Sequence, residues 1–293
     1  TPVTRSDLVC RLLLEKKAKT ILIVAFLITN ILLAYVLIED KNIEEPTLKE
    51  DFIQDVVKLL EDKNISIEGT IPTDIPYLNT MIVKYEKINL EELNRRFLGG
   101  RGSIFSDEEG LGEIRYGERG IILINNKLII YENKAERELY KELSKNDAIE
   151  IAEEFMKERQ FDTSDMKLTF MKEENGVYYL EYSKVYEGYF VERAFTTFQI
   201  DKRGVKRFER LWLKEGELGE NEINISTAPK AILGLLDMQE VYGKTITDIS
   251  LCYYFDPEKH SYLEELGEAK QGKAVPAWRI QFSDGHKVFI DEY

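Results

Sequence analysis

The 293-residue sequence contains two histidines, His260 and His286, so any Ser-His-Asp or Cys-His arrangement must use one of them. His260 falls in a polar stretch and His286 in a hairpin turn, and no Gly-x-Ser-x-Gly nucleophile motif accompanies either. Both read as surface histidines, and no catalytic residue is assigned. Zinc favours Cys and His at short spacing, which two separated histidines and the isolated Cys252 do not supply. Asp107, Glu108 and Glu109 cluster in a glycine-rich stretch but lack the alternating acidic spacing of a calcium loop, so they read as a solvated charge run. The run Gly99, Gly100, Arg101, Gly102, Ser103 is faintly like a phosphate cradle. It follows a predicted helix instead of a strand and lacks the Gly-Lys-Ser/Thr ending. Glu153 and Glu154 fall on the polar face of a predicted helix, where carboxylates face water. The inventory implies no metal, no cofactor and no enzyme.

Two other patterns suit binding. Tyr178, Tyr179, Tyr182, Tyr186, Tyr189 and Phe190 crowd one predicted hairpin, and alternation puts some of them on each face. The inward rings belong to a core. The outward ones either form an aromatic contact patch or serve ordinary cross-strand pairing. The second pattern lies in an apolar run, where Ala25 with Thr29, and Asn30 with Ala34, repeat small or polar residues at i, i+4. Such residues let helices approach closely and hydrogen-bond in lipid, although a single Asn is also tolerated there without a partner.

These residues need elements to hold them. Thr20 to Ile38 carries no charged residue and, as a helix, spans close to the roughly 30 Å hydrocarbon layer of a bilayer. The run ends Tyr35, Val36, Leu37, Ile38 with no small-x-small cleavage site, which predicts a retained anchor in the cytoplasmic membrane. Arg5, Arg11, Lys16, Lys17 and Lys19 precede it, while Glu39, Asp40, Glu44 and Glu45 follow, so the N-terminus is expected inside and the rest outside. Residues 1–19 hold five basic and two acidic groups; taking their +3 from the total of −14 leaves −17 for the remainder. So acidic a domain excludes nucleic acid as a partner. Cys10 and Cys252 fall on opposite sides of that membrane and cannot pair, so core packing must stabilise the fold.

Beyond a linker at 39–46, Phe52, Val56, Val57 and Leu60 predict a helix within Leu48 to Asp62. Asn89 with Glu92 starts a helix over Leu90 to Leu98, Gly99 to Gly112 reads as a loop, and Ile121 to Ile124 with Leu128 to Tyr131 form a hairpin. Ser144 with Asp147 caps a helix through Arg159. Strands follow at Met166 to Met171, Val177 to Ser183, Tyr189 to Ile200 and Val205 to Leu213. A third helix after Ser226 and strands at Thr245 to Phe255, Val275 to Phe282 and Val288 to Asp291 complete the chain. The pattern is α+β. The expected organisation is a tail (1–19), a transmembrane helix (20–38), the linker (39–46), and two antiparallel-sheet-plus-helix domains at 47–142 and 143–293.

The segment Lys17 to Lys41 and the ending Pro276-Ala277-Trp278-Arg279-Ile280, then Gly285 and Val288 to Asp291, resemble the YycI (WalI) family of Gram-positive bacteria. Thr1 to Leu14 has no counterpart in that likeness. The resemblance implies a non-enzymatic, membrane-anchored regulator. It would bind a cell-wall-sensing histidine kinase like WalK (YycG) together with a YycH-like partner. Ala25, Thr29, Asn30 and Ala34 are the expected partner-binding residues on the membrane helix. A looser likeness in helix and strand order, to PepSY domains, implies the alternative of an extracytoplasmic inhibitor or chaperone of a secreted peptidase.

Overall fold

A computed structural model describes residues 5–41, 45–106, 110–257 and 271–291. The chain divides into two compact units, Thr1–Lys49 and Glu50–Tyr293. In the first, α1 (Arg5–Lys41) is one unbroken helix. Its stretch Lys17–Tyr35 has a mean hydropathy of 2.0 and buries none of its side chains, so Ile21, Leu22, Phe26 and Ile31 all project outward. At 1.5 Å per residue this stretch is about 28 Å long, enough to cross the hydrocarbon of a bilayer.

The second unit is mixed α+β, mostly sheet. Its opening helix α2 (Glu50–Glu61) buries Val56 and Leu60 and carries Glu50 and Asp51 in its first turn, where the helix dipole favours negative charge. Strands β1 (Ser66–Ile67) and β2 (Tyr77–Tyr85) follow. The Asn89 side chain accepts the Glu92 amide at 2.8 Å to start α3 (Leu90–Leu98), and Gly99 ends it in the left-handed region. A meander comes next: β3 (Ser103–Ser106), β4 (Leu111–Tyr116), β5 (Arg119–Ile124) and β6 (Leu128–Asn133). The reciprocal hydrogen bonds of Ser144 and Asp147 cap α4 (Lys145–Glu158). A second meander runs through β7 (Met166–Glu174), β8 (Val177–Tyr186), β9 (Tyr189–Asp201) and β10 (Gly204–Leu211). The chain ends with β11 (Leu213–Asn224), α5 (Ala228–Ala231) running into a 3-10 turn at Ile232–Asp237, β12 (Thr245–Tyr254), β13 (Gln271–Phe282) and β14 (Lys287–Ile290).

All these strands share one sheet, ordered β11-β2-β13-β12-β9-β10-β6-β5-β4-β3, with β7, β8, β14 and β1 attached off that path. Strand β9 joins its two halves. Phe190 to Glu192 run parallel to Cys252 to Tyr254 of β12, while Phe195 to Asp201 pair antiparallel with β10. One core lies beneath α3 and α4, where the rings of Phe97, Tyr131, Phe155, Phe161, Phe198 and Phe208 meet at centroid separations of 5.2 to 6.0 Å. Another lies beneath α2 and the 3-10 turn and holds Val56, Leu60, Leu235, Ile246, Ile280 and Phe282.

Position 143, where the sequence suggests a domain boundary, falls inside the first core's territory. Leu143 packs on that core, its carbonyl accepts the Tyr178 hydroxyl at 3.1 Å, and β6 pairs with β10 across it. Three elements differ from expectation. The predicted loop Gly99 to Gly112 contains β3 and the start of β4, short pieces whose glycines and serines hide their strand character. The predicted third helix is a single α turn followed by a 3-10 turn. Strand β11 was not expected, because its Gly216, Gly219 and many glutamates are poor β-formers. As an edge strand it gains from those charges, which discourage pairing with another chain.

Phe208, fully buried at the centre of the ring cluster, gives a direct stability test. Phe208→Ala is expected to destabilise the fold by about 3–5 kcal/mol in urea unfolding, whereas Leu59→Ala on an exposed face shifts it by about 0.5 kcal/mol or less.

Candidate functional site

Helix α1 carries the expected partner-binding residues on outward-facing positions. Thr29 Oγ1 donates to the Ala25 carbonyl at 2.9 Å, so its hydroxyl is satisfied within the helix. The Asn30 carboxamide makes no hydrogen bond among the described residues. A helix turns about 100° per residue, which puts the Ala25–Thr29 stripe and the Asn30–Ala34 stripe about 140° apart. The four residues therefore form two faces, one small and self-satisfied, the other polar and open.

The charged centre of the second unit lies where β9 changes partners. Glu192 on β9 and Arg279 on β13 are 2% and 1% exposed. Arg279 Nε donates to Glu192 Oε1 at 2.8 Å, Nη1 to Asp248 Oδ2 at 2.8 Å, and Nη2 to Gln281 Oε1. The Gln281 amide donates to the Thr169 carbonyl at 2.6 Å. Lys287 Nζ reaches Glu181 Oε1 at 2.6 Å, Ser183 Oγ at 2.9 Å and Glu192 Oε1 at 3.3 Å, and the Arg279 guanidinium lies 4.2 Å from the centroid of Phe190. This network ties β7, β8, β9, β12, β13 and β14 together. A second group holds Lys184 to Asp165 and to Glu215 at 2.9 Å. It also holds Arg210 to Glu86 and to Thr196, both at 3.0 Å, with Trp212 Nε1 donating to Asp165 at 3.2 Å.

Carboxylates paired with a lysine could in principle exchange protons, but Glu192, Arg279 and Lys287 line none of the three clefts described for this unit. Glu192 and Arg279 are almost wholly buried, and their hydrogen bonds hold neighbouring strands together. Sequence reasoning missed the network because its members are spread from Thr169 to Lys287. Isolated charges such as Arg279 inside an apolar strand were the available signal.

The other singled-out residues fall into place individually. Tyr182 and Phe190 are buried, and Tyr178, Tyr179, Tyr186 and Tyr189 are half-buried. Tyr186 and Tyr189 pack edge-on against Tyr253, so cross-strand packing accounts for them and the hairpin presents no exposed aromatic patch. The phosphate-cradle likeness dissolves because the Asn94 side chain takes both backbone groups of Gly102, at 2.8 and 2.9 Å. The His286 ring faces Phe282 in the turn before β14. His260, the run Asp107, Glu108 and Glu109, and the Cys10 side chain lie outside the described residues. Cys252 is fully buried, and burial, helped by the charge of Glu192, pushes its thiol well above the ordinary range. That makes it inert. The final β13–β14 hairpin pairs Trp278 with Ile290, as the family likeness implies.

Together these features define a class: a mostly-sheet α+β protein that carries one N-terminal helix of anchor length and a closed, structural charge network. A family model described as YycI protein matches residues 44–292, and the chain belongs to the YycI family, whose members are regulatory and non-catalytic. No curated protein matches the sequence. Among solved structures the chain is similar to an uncharacterized protein from Eubacterium rectale (12% identity, TM-score 0.49, 82% of this chain and 96% of that one). It is also similar to YycH from Bacillus subtilis (12% identity, TM-score 0.46, 72% of this chain and 52% of that one). The C-terminal domain of YpeB from Bacillus megaterium matches at 11% identity with a TM-score of 0.36, over 71% of this chain and 94% of that one.

Removing Arg279 takes from buried Glu192 its shorter ion pair, at 2.8 Å, and leaves it the longer one to Lys287, at 3.3 Å. Arg279→Ala is therefore expected to destabilise the second unit by about 3–5 kcal/mol in urea unfolding. The double replacement Arg279→Met with Glu192→Gln, which removes both charges, is expected to be less damaging than Arg279→Ala alone.

Proposed function

We propose that this chain is a single-pass, membrane-anchored regulator that binds a WalK/YycG-like sensor histidine kinase together with a YycH-like protein and biases the kinase between its two states. Membership of the YycI family over residues 44–292 carries this reading. The anchor-length helix supports its membrane part. The basic flank before the span and the acidic flank after it favour an N-terminus inside and the sheet unit outside.

The helix is the proposed contact. Lipid tails offer nothing to a carboxamide, so Asn30 gains most from a partner helix that hydrogen-bonds it, with Ala34 one turn on allowing close approach. The Ala25–Thr29 face suits tight packing of a second helix, since Thr29 needs no outside partner. Two faces about 140° apart match two helical partners held at once. Regulation then requires only that one kinase state be bound better than the other; a difference of about 1.4 kcal/mol shifts their ratio tenfold.

Asn30→Leu is expected to reduce recovery of the kinase about three- to tenfold when the full-length protein is purified in mild detergent from its native membranes. Unchanged recovery of kinase and YycH-like protein would remove Asn30 from the interface. Recovery of a secreted peptidase in their place would contradict the regulatory reading itself.

A further inference from the structure

Helix α4, the segment after it, Met166 at the start of β7 and Tyr182 within β8 line a cleft of about 580 Å³, within the usual range for small-ligand sites. Its floor is apolar, with Met156, Phe161 and Met166, and its rim carries Glu150, Glu153 and Glu154 against a single Lys157. None of these three carboxylates forms an ion pair or hydrogen bond among the described residues. An acidic rim alone specifies nothing, but Tyr182 adds an independent feature. Its ring is 6% exposed and packs edge-on to Phe198 at 6.0 Å, yet its hydroxyl is buried beside the cleft without a hydrogen-bond partner. Burial, and secondarily the charge of Glu153, raises the pKa of this phenol, and both residues line the cleft. A buried polar group left unpaired is destabilising, and phenylalanine would fill the same space without that penalty.

We infer that this cleft binds an alkylammonium group on an aliphatic stem: a lysine side chain of a peptide or a free diamine. The stem would cover Met156, Phe161 and Met166. The ammonium, placed between Glu153 and Tyr182 Oη, would pair the carboxylate and give the hydroxyl its missing partner. The binding is independent of the kinase reading, because it uses only residues of α4, β7, β8 and the segment between α4 and β7.

The test uses the full chain in lipid nanodiscs with ¹³C-methyl-labelled methionines, so that Met156 and Met166 report on the cleft while Met238, packed on the core beneath α2, serves as the remote control. Nα-acetyl-lysine methylamide is expected to shift the Met156 and Met166 signals saturably. Nα-acetyl-norleucine methylamide, with the same stem length and no charge, is expected to bind at least about tenfold more weakly. Tyr182→Phe and Glu153→Gln should each weaken the lysine compound about three- to tenfold with the Met238 signal unmoved. Cadaverine binding as tightly as the lysine compound assigns the site to free diamines, and weaker binding assigns it to peptides. The inference is overturned if no saturable shift occurs, if norleucine binds as well as lysine, or if both variants bind like the parent.

Discussion

Strand β9 has to belong to two half-sheets, and the geometry of that duty shapes the whole second unit. Its first residues run parallel to β12 and its later residues antiparallel to β10, so the backbone ladder changes partners within a few residues. Apolar packing alone would let the two halves slide, because hydrophobic contact is non-directional. Arg279, Glu192 and Lys287 fix the register instead: each donor reaches its acceptors at hydrogen-bond distance, and the central Arg279–Glu192 pair is almost wholly shielded from water. Buried charges add little net stability against a well-packed apolar alternative. Their value here is specificity, since a shifted β13 would leave a guanidinium unpaired in the core.

That arrangement separates holding shape from making contact. The apolar cores and the charge network around Arg279 hold the sheet together. The open chemistry is elsewhere, in a carboxamide on α1 and in a buried hydroxyl with unpaired carboxylates beside α4. A non-catalytic family fits this division, because a regulator acts through differential binding.

Much of this was legible in the sequence where a local rule decides the structure. Asn89 and Ser144 cap their helices through hydrogen bonds to residues three positions on, so α3 and α4 emerge with the expected starts. The uncharged run after Lys19 likewise announces α1. Legibility failed where a distant partner decides. Strand β11 pairs with β2 more than a hundred residues away and has no β-favouring composition of its own. The helix after Ser226 follows the apolar spacing but tightens into a 3-10 turn that packs Ile232 and Leu235 against the core around α2. The hairpin tyrosines left a contact patch and cross-strand pairing both open in the sequence, because Tyr253, which receives two of them, comes from β12. The network around Arg279 and the lone hydroxyl of Tyr182 belong to the same category, being products of tertiary placement.

The most direct test of the account is site-specific photocrosslinking in native membranes from single positions along α1. With the crosslinker at 30 or 34, the account predicts covalent adducts with a sensor histidine kinase or a YycH-like protein, and at 25 or 29 adducts with the other of the two. Adducts spread evenly around the helix, or the absence of both proteins from every position, would contradict it.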